Sequence, residues 1–530
     1  MTVLLTAMLP EIILASMACV LFLLGMSSKA VSRRISAELA LLSVIAVFII
    51  ECLWTRHSNA GAVAIDTGSA VYVQSLSQYI KLITSGLGIL FILLNMPTNA
   101  QRTGGSAIDT GADTSEFFGL LLLSLCGLCV VASANDLILL FLGIELAAIP
   151  TYIMVSISRP LPVAQEAGLK YFFLGAMSAA VMLFGFSYLF GTTGSTSLDE
   201  ITRIFSTQST WTQWQILAVL MLIGGFAFKI AAVPLHSYAG DVYQGAATPV
   251  TAFLSFVPKA SGFVALIKVL YATGGGSWNI PVPVVNVLWI MAALTMTVGN
   301  TLGLLQFNLK RTFAYSSIAH TGYMLVGVTA LASLSHVPGL DYTALQSSAL
   351  QGVLFYLAAY GITNVAAFGV LQLLPGRHNR PATSAETYED IAGQGTKHIG
   401  LGLAMAVACL SLTGIPLTVG FLGKIYLVQT AIYTAPGELS MVLLSVILWI
   451  NAAISAGYYL RIIAAMFLRT EPTHVVSGTK SPGPLSLIHP PSVVLAVLLS
   501  VIITLLLGTF LPATSLLTTR VKDAAAMDHS

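Results

Sequence analysis

Residues 227–245 read AFKIAAVPLHSYAGDVYQG and residues 412–426 read LTGIPLTVGFLGKIY. Each sits in an apolar run, roughly 212–244 and 399–433, longer than the about 20 residues that cross a hydrocarbon core of about 30 Å. Each run is interrupted by a proline, Pro234 or Pro416. Proline removes one intrahelical hydrogen bond, and its ring crowds the preceding turn. Backbone freed in this way persists at membrane depth only where protein or water satisfies it. Two such interruptions predict two broken helices lining the polar interior of a membrane protein.

The rest of the chain agrees with that class. Apolar residues fill 56% of 530 positions and charged residues only 8%, where a soluble domain carries about 25% charge. The net charge of +2 implies no basic face, so nucleic acid is not an expected partner and the lipid bilayer is. Apolar runs predict an all-α integral membrane protein of about fourteen transmembrane spans. The broken runs are the seventh and twelfth, each the fourth member of a five-span unit. An odd number of spans per unit makes the second unit inverted. The expected organisation is therefore a three-helix segment over 1–114, a first repeat over 115–272, an inverted repeat over 283–468, and a C-terminal helix with its tail over 469–530.

The N-terminus lacks the basic start of a signal peptide. Connections after odd-numbered spans hold twelve cations: Lys29, Arg33, Arg34, Arg102, Arg159, Lys310, Arg311, Arg377, Arg380, Lys397, Arg469 and Lys480. Connections after even-numbered spans, with the tail, hold four: Arg56, Arg203, Arg520 and Lys522. The positive-inside rule then puts both termini outside.

The seven remaining cations fall within spans: Lys81, Lys170, Lys229, Lys259, Lys268, Lys424 and Arg461. Lys81, Lys268 and Arg461 lie close enough to a span end to snorkel. Lys229, Lys259 and Lys424 do not, nor does Glu145 in DLILLFLGIELAAIPTYIMV (136–155). A charge at bilayer centre costs about 2.5–3.5 kcal/mol on insertion scales, so these four are expected to pair or to face a polar cavity. The protonatable groups run Glu145, Lys170, Lys229, His236, Lys259, His320, Lys424, a row suited to proton relay. A lysine buried alone holds its proton weakly, and a carboxylate beside it restores the hold. At 4 Å that attraction is about 4 kcal/mol at an effective dielectric of 20. Opening and closing such a pair would switch the lysine between holding and releasing, which a permanently charged arginine does not do. His236, two residues after Pro234, is expected in the relay. His320 has two readings, relay member or donor to carbonyls freed at a break.

Cys126 and Cys129 in LLLLSLCGLCVVAS (120–133) have no second pair and no basic neighbour, so they read as small buried side chains. No Gly-rich phosphate loop, metal-ligand spacing or Ser/His/Asp signature stands in a plausible context. Catalytic, metal-binding and cofactor-binding residues are therefore not expected in this chain.

The run FKIAAVPLHSYAGDVYQGAATPVTAFLSFVPKASGF (228–263) resembles the antiporter-like subunits of respiratory complex I, the proton-translocating NADH–quinone oxidoreductase. GIELAAIPTY (143–152), AGLKYFFLGAMSA (167–179), RTFAYSSIAHTGYML (311–325) and GIPLTVGFLGKIYL (414–427) extend the resemblance over roughly residues 10–510. It is nearest to the N type. L and M types usually have an aromatic residue where this chain has Ile144, and the M type carries glutamate where this chain has Lys424. By position, Glu145 matches the family's span-5 glutamate, Lys229 and Lys259 its span-7 and span-8 lysines, and Lys424 its terminal span-12 lysine. Lys170 matches a span-6 lysine of the N type. Tyr238 and Gly240 replace the family's usual Trp and Pro, GAATPV replaces GAPAPV, and Pro258 before Lys259 is unusual.

The resemblance implies a proton-conducting subunit of a bacterial inner (plasma) membrane complex, multi-pass, with periplasmic termini. Its implied partners are other antiporter-like and small hydrophobic membrane subunits. NADH, FMN, iron–sulfur clusters and quinone would be used in other subunits, with quinone reduction coupled to this one. The alternative is a subunit of a multi-subunit cation/proton antiporter on the same fold.

Overall fold

The computed structural model describes residues 8–26, 30–57, 71, 75–96, 115–333, 342–374, 376, 384–433, 439–470 and 490–509. Lys29, Arg102, Arg377, Arg380, Lys480, Arg520 and Lys522, used above to orient the chain, lie outside these residues.

The described chain is a bundle of helices with no β-strand beyond isolated bridges. Helices α1 (Leu9–Gly25), α2 (Ala30–His57) and α3 (Ser75–Asn95) form the N-terminal group. Next come α4 (Ser115–Ser133), α5 (Leu137–Ile157), α6 (Pro162–Thr193) and the short α7 (Leu198–Thr207). The first interrupted run divides into α8 (Gln213–Lys229) and α9 (Tyr238–Gly245), followed by α10 (Thr248–Thr273). Then follow α11 (Val282–Leu304), α12 (Leu309–Ser333), α13 (Tyr342–Leu373), and two single turns, α14 (Tyr388–Ile391) and α15 (Gln394–Lys397). The second interrupted run divides into α16 (Ile399–Thr413) and α17 (Val419–Tyr433); α18 (Leu439–Leu468) and α19 (Pro491–Thr509) complete the bundle. Ten of these helices are long and apolar enough to cross a membrane, and α1, α8 and α17 are shorter apolar helices.

Both expected breaks are present, with local chemistry that accounts for them. Ala231 (φ 56°) and Leu417 (φ 73°) take left-handed backbone beside the prolines, and Gly414 (φ 88°) ends α16. That conformation carries little penalty at a glycine and more at the two side-chain-bearing residues. The path through α14–α16 is less simple than one long connection, since α15 and α16 meet at a bend of 120°.

Burial separates an interior from a lipid-facing shell. The apolar stretch of α10 is buried throughout, whereas only 28% of that of α19 is. Large apolar side chains such as Phe173, Met177, Phe184 and Ile450 are exposed on the shell, as lipid contact requires rather than as a defect of folding. Close approaches between helices use glycine: a Cβ on Gly127 of α4 would stand 2.3 Å from Ala147 N of α5, and one on Gly299 of α11 would stand 2.6 Å from Ala319 N of α12. Small residues at such crossings let backbones meet without a hydrophobic driving force. Cys126 and Cys129 are buried free thiols on α4, as their surroundings in the sequence suggest.

At one end of the bundle, charged side chains bind the connections together. Glu386, before α14, meets Lys310 at 2.8 Å and Arg159 at 2.9 Å. Burial alone would push its carboxyl up, yet Lys310 and Arg159 hold it below the usual carboxylate range. Arg461 lies over the Tyr388 ring at 4.4 Å. Lys81 does not snorkel: its side chain is 1% exposed and paired with Glu11.

Candidate functional site: a buried row of lysines

Lys229 is the last residue of α8, where the helix stops short of Pro234. The C-terminal end of a helix carries a partial negative charge, which favours an ammonium there. Its Nζ donates to Glu145 Oε1 on α5 at 2.8 Å and to the Tyr152 hydroxyl, two turns further along α5, at 3.2 Å. The lysine side chain is 2% exposed and the glutamate 15%. Tyr152 packs edge-on to Tyr171, which stacks on Tyr238 at 5.1 Å; the Tyr238 hydroxyl donates to the Phe228 carbonyl at the end of α8. These rings pack around the pair. Gly175 is required beside it, because a Cβ there would stand 2.3 Å from the Tyr152 hydroxyl.

Lys259 lies in α10, whose apolar stretch is buried throughout. Its Nζ donates to the Ser317 carbonyl at 2.5 Å and to Thr321 Oγ1 at 2.9 Å, both on α12. Thr321 in turn donates to the Ile230 carbonyl at 2.7 Å, one of the groups freed where α8 breaks. The break thus contributes an acceptor to the Lys259 site through a hydroxyl. A small cavity bordered by Lys229, Lys259, Tyr171, Tyr238 and Tyr243 separates the two lysines. Tyr243 and Tyr360 both reach the Ser317 hydroxyl, at 3.1 and 2.7 Å.

One turn along α12 from the Lys259 contacts stands His320. Its two ring nitrogens face the Tyr356 hydroxyl at 2.6 Å and the Tyr459 hydroxyl at 3.2 Å. It is 2% exposed and bonds hydroxyls, not carbonyls of a helix break. Tyr323, one turn further, offers its ring face to Lys424 Nζ at 4.8 Å.

Lys424 belongs to α17 but turns back to the broken end of α16. There it donates to the carbonyls of Leu412 at 2.9 Å and Thr413 at 2.6 Å. Those carbonyls belong to the last turn of α16, left without continuing helical donors by the Gly414 turn. A carboxylate is not needed here, because the second break holds its ammonium directly with backbone. The two broken helices therefore serve different lysines in different ways.

Two residues of the sequence row stand apart from it. Lys170 is 45% exposed and pairs with Glu166 at 2.7 Å and Asp241 at 3.0 Å. Asp241 is also held by Arg311 at 2.6 Å, so this is a charged cluster near the start of α6. His236 is half-buried, its Nδ1 has no hydrogen-bond partner, and it bonds neither Lys229 nor Lys259. Conversely, the linking hydroxyls of Tyr152, Ser317, Thr321, Tyr356, Tyr360 and Tyr459 go unmarked by a search for charges. For Ser317 and Thr321 the signal is the polar spacing within RTFAYSSIAHTGYML (311–325), where 317 and 321 lie one turn apart on one helix with His320 between them.

Among the described residues no group of three His, Cys, Asp or Glu side chains is placed to hold a metal ion.

Residues 134–450 match the transmembrane family described as NADH:quinone oxidoreductase/Mrp antiporter. NADH-quinone oxidoreductase subunit N of Myxococcus xanthus is 38% identical over 386 residues, covering 70% of this chain and 73% of that protein. Its counterpart from Trichlorobacter lovleyi is 34% identical over 475 residues and 88% of both chains. Among solved structures, a chain of respiratory complex I from Thermus thermophilus aligns with a TM-score of 0.70 and 29% identity, over 95% of this chain and 98% of that one. A chain of the Mrp complex from Dietzia aligns at 0.76 with 18% identity, over 98% and 97%, a likeness of fold alone. The broken helices, the buried lysine row and these relatives agree: the chain belongs to the antiporter-like membrane subunits of NADH-quinone oxidoreductase, in the subunit N family.

Proposed function

We propose that the chain translocates protons along the row Glu145, Lys229, Lys259, His320, Lys424. The observation that carries this reading is continuity. From Lys259 onward each station shares an aromatic neighbour with the next: the Tyr360 ring lies 5.8 Å from Lys259 Nζ and 5.0 Å from the His320 ring, and Tyr323 packs edge-on to His320 and faces Lys424. Between Lys229 and Lys259 lies a cavity bordered by tyrosine hydroxyls and both lysines. Water in such a polar space would complete the path. Protons would enter from the cytoplasm towards α8–α10, beside the cluster of Lys170, Asp241 and Arg311. Lys170 and His236 would act on this entry side rather than within the row.

The organisation that goes with it is a three-helix segment over 1–114, inverted repeats over 115–272 and 283–468, and a final helix with its tail. The chain would sit in a bacterial inner membrane with periplasmic termini, against other antiporter-like and small hydrophobic subunits. NADH oxidation, flavin, iron–sulfur clusters and quinone would belong to other subunits, with no redox catalysis here. The antiporter alternative is less supported: the Mrp likeness is at lower identity than that to complex I, and Ile144 and Lys424 follow the N type.

Lys229→Ala and Glu145→Ala, each in the complex reconstituted into proteoliposomes, test the reading. Assembly is expected to persist while coupled quinone reduction and proton uptake fall. Wild-type rates from either variant would sink the assignment.

A further inference from the structure

A second set of buried charges lies away from the lysine row. Glu11, in the first turn of α1, pairs with Lys81 of α3 at 2.7 Å, with side chains 4% and 1% exposed. Ser133, which ends α4, donates to Glu11 Oε1 at 2.9 Å and faces Ser77 at 3.1 Å. Cys126 donates to the Glu11 carbonyl at 3.5 Å. Glu51, near the end of α2, is 4% exposed and lies within electrostatic reach of both Glu11 and Lys81. Glu11 Oε2 and Glu51 Oε2 are buried, and neither has a hydrogen-bond partner.

This cluster is joined to the row through α10. That helix carries Lys259 and, nine residues on, Lys268, a separation of about 13 Å along the axis. Lys268 Nζ donates to the carbonyls of Ala132 and Ala134, the residues flanking Ser133. One helix therefore runs from the centre of the row to the doorstep of Glu11. The ends of α2, α4 and α10 and the starts of α1 and α3 meet there, so the cluster occupies one face of the bundle. It is the opposite face from the Glu386, Lys310 and Arg159 network.

A structural tie would need only Glu11, Lys81 and Ser133. Glu51 adds a carboxylate with an unsatisfied buried oxygen, which is costly while ionised. Glu51 thus places an oxygen able to take up a proton near the Glu11–Lys81 pair, whose own free oxygen Glu11 Oε2 is also buried. We propose that Glu11, Glu51 and Lys81 form a second proton-holding site, through which protons leave the row at this face. The step moves one proton from the row to the carboxylates and one from the carboxylates to water, with no electron transferred. The proposal rests on the relay reading above. Among the described residues, the charged or titratable groups facing the site are Glu11, Glu51 and Lys81, with Cys126 and Cys129 of α4 and Lys268 of α10. Asp199 of α7 acts on Lys268 in turn.

The test is Glu51→Gln in the assembled complex in proteoliposomes, with Lys229→Ala alongside and the pH at this face varied. Glu51→Gln is expected to assemble, to transfer protons roughly tenfold or more slowly, and to lose the dependence of rate on pH at this face. Glu51→Asp should restore part of both. A wild-type rate and pH profile in Glu51→Gln, with Lys229→Ala impaired, would overturn this site and leave the relay standing. Wild-type behaviour in Lys229→Ala would instead remove the relay. Failure of both Glu51→Gln and Glu51→Asp to assemble would assign Glu51 a structural role and overturn the proposal equally.

Discussion

Removing one partner of the Glu145–Lys229 pair should cost more than removing both. At 2.8 Å, two unit charges attract by about 6 kcal/mol at an effective dielectric of 20. Loss of one partner from a buried pair typically costs about 3–5 kcal/mol, because a charge is left without compensation. The structure predicts an asymmetry within that range. Lys229 is 2% exposed and Glu145 is 15%, so Glu145→Gln strands the less hydrated charge. That ammonium would keep a neutral amide oxygen, the Tyr152 hydroxyl and the ring faces of Tyr152 and Phe228 at 5.8 and 5.9 Å, but no counter-charge. Glu145→Gln should therefore lower the disassembly temperature of the purified complex more than Lys229→Met. The double variant Glu145→Gln/Lys229→Met should recover most of the loss, yet stay as inactive in proton transfer as either single change. Thermal disassembly followed by native gel, with proton uptake in proteoliposomes, measures both. Additive destabilisation in the double variant would refute the buried-pair energetics. Recovery of proton transfer in it would refute the relay role.

Thr321→Val keeps the side-chain shape but leaves the Ile230 carbonyl and Lys259 without the shared hydroxyl; a loss of about 1–3 kcal/mol per unsatisfied group is expected. Thr321→Ser should restore both stability and proton uptake. Gly127→Ala should act at a distance: its Cβ would press on Leu146 C and Ala147 N, immediately beyond Glu145. The expected overpacking cost is about 1–3 kcal/mol, read as a lower disassembly temperature and slower proton uptake, and an unchanged complex would contradict the close approach of α4 and α5. Glu386, outside the spans, has a carboxyl held below its ordinary range by Lys310 and Arg159. A depressed carboxylate stabilises above its unfolded pKa and loses that contribution as pH falls through the lower folded value. Protection from hydrogen exchange over residues 384–397, relative to the intrinsic rate at each pH, should thus hold at neutral pH and fall only below the usual carboxylate range of about 4. Glu386→Gln should exchange faster already at neutral pH.

Helix boundaries are legible in the chain itself, because transmembrane helices are specified locally. The apolar runs ending at Ser133 and Leu468 are α4 and α18, whose helices end at those same residues. In hydrocarbon a backbone has almost no alternative to intrahelical bonding, so apolar length alone marks a crossing. The breaks at Pro234 and Pro416 are legible because they fall in runs too long for one crossing; proline alone does not decide them, since Pro150 and Pro258 lie inside the continuous α5 and α10. The paired charges are less so. Glu145 and Lys229 are each marked by the cost of a charge at mid-membrane, but their separation of 84 positions says nothing of a 2.8 Å contact. Lys170 looks equivalent by sequence, and helix rotation places it outward, 45% exposed. Lys81, near a span end, looks free to snorkel, and the packing of α1 against the neighbouring helices buries it against Glu11 instead.

Composition, apolar run length and proline within over-long runs by themselves point to a polytopic helical membrane protein with two broken helices and a set of costly buried charges. These follow from transfer free energies and backbone hydrogen bonding, which act residue by residue. Which charges meet is decided only by tertiary structure, because rotation and depth of each helix are set by packing between segments far apart in the chain. That is why α12 alone, through Ser317, His320, Thr321 and Tyr323, joins three lysine and histidine stations that no local pattern connects. It is also why one break holds its neighbouring lysine through a carboxylate and the other holds Lys424 through bare carbonyls.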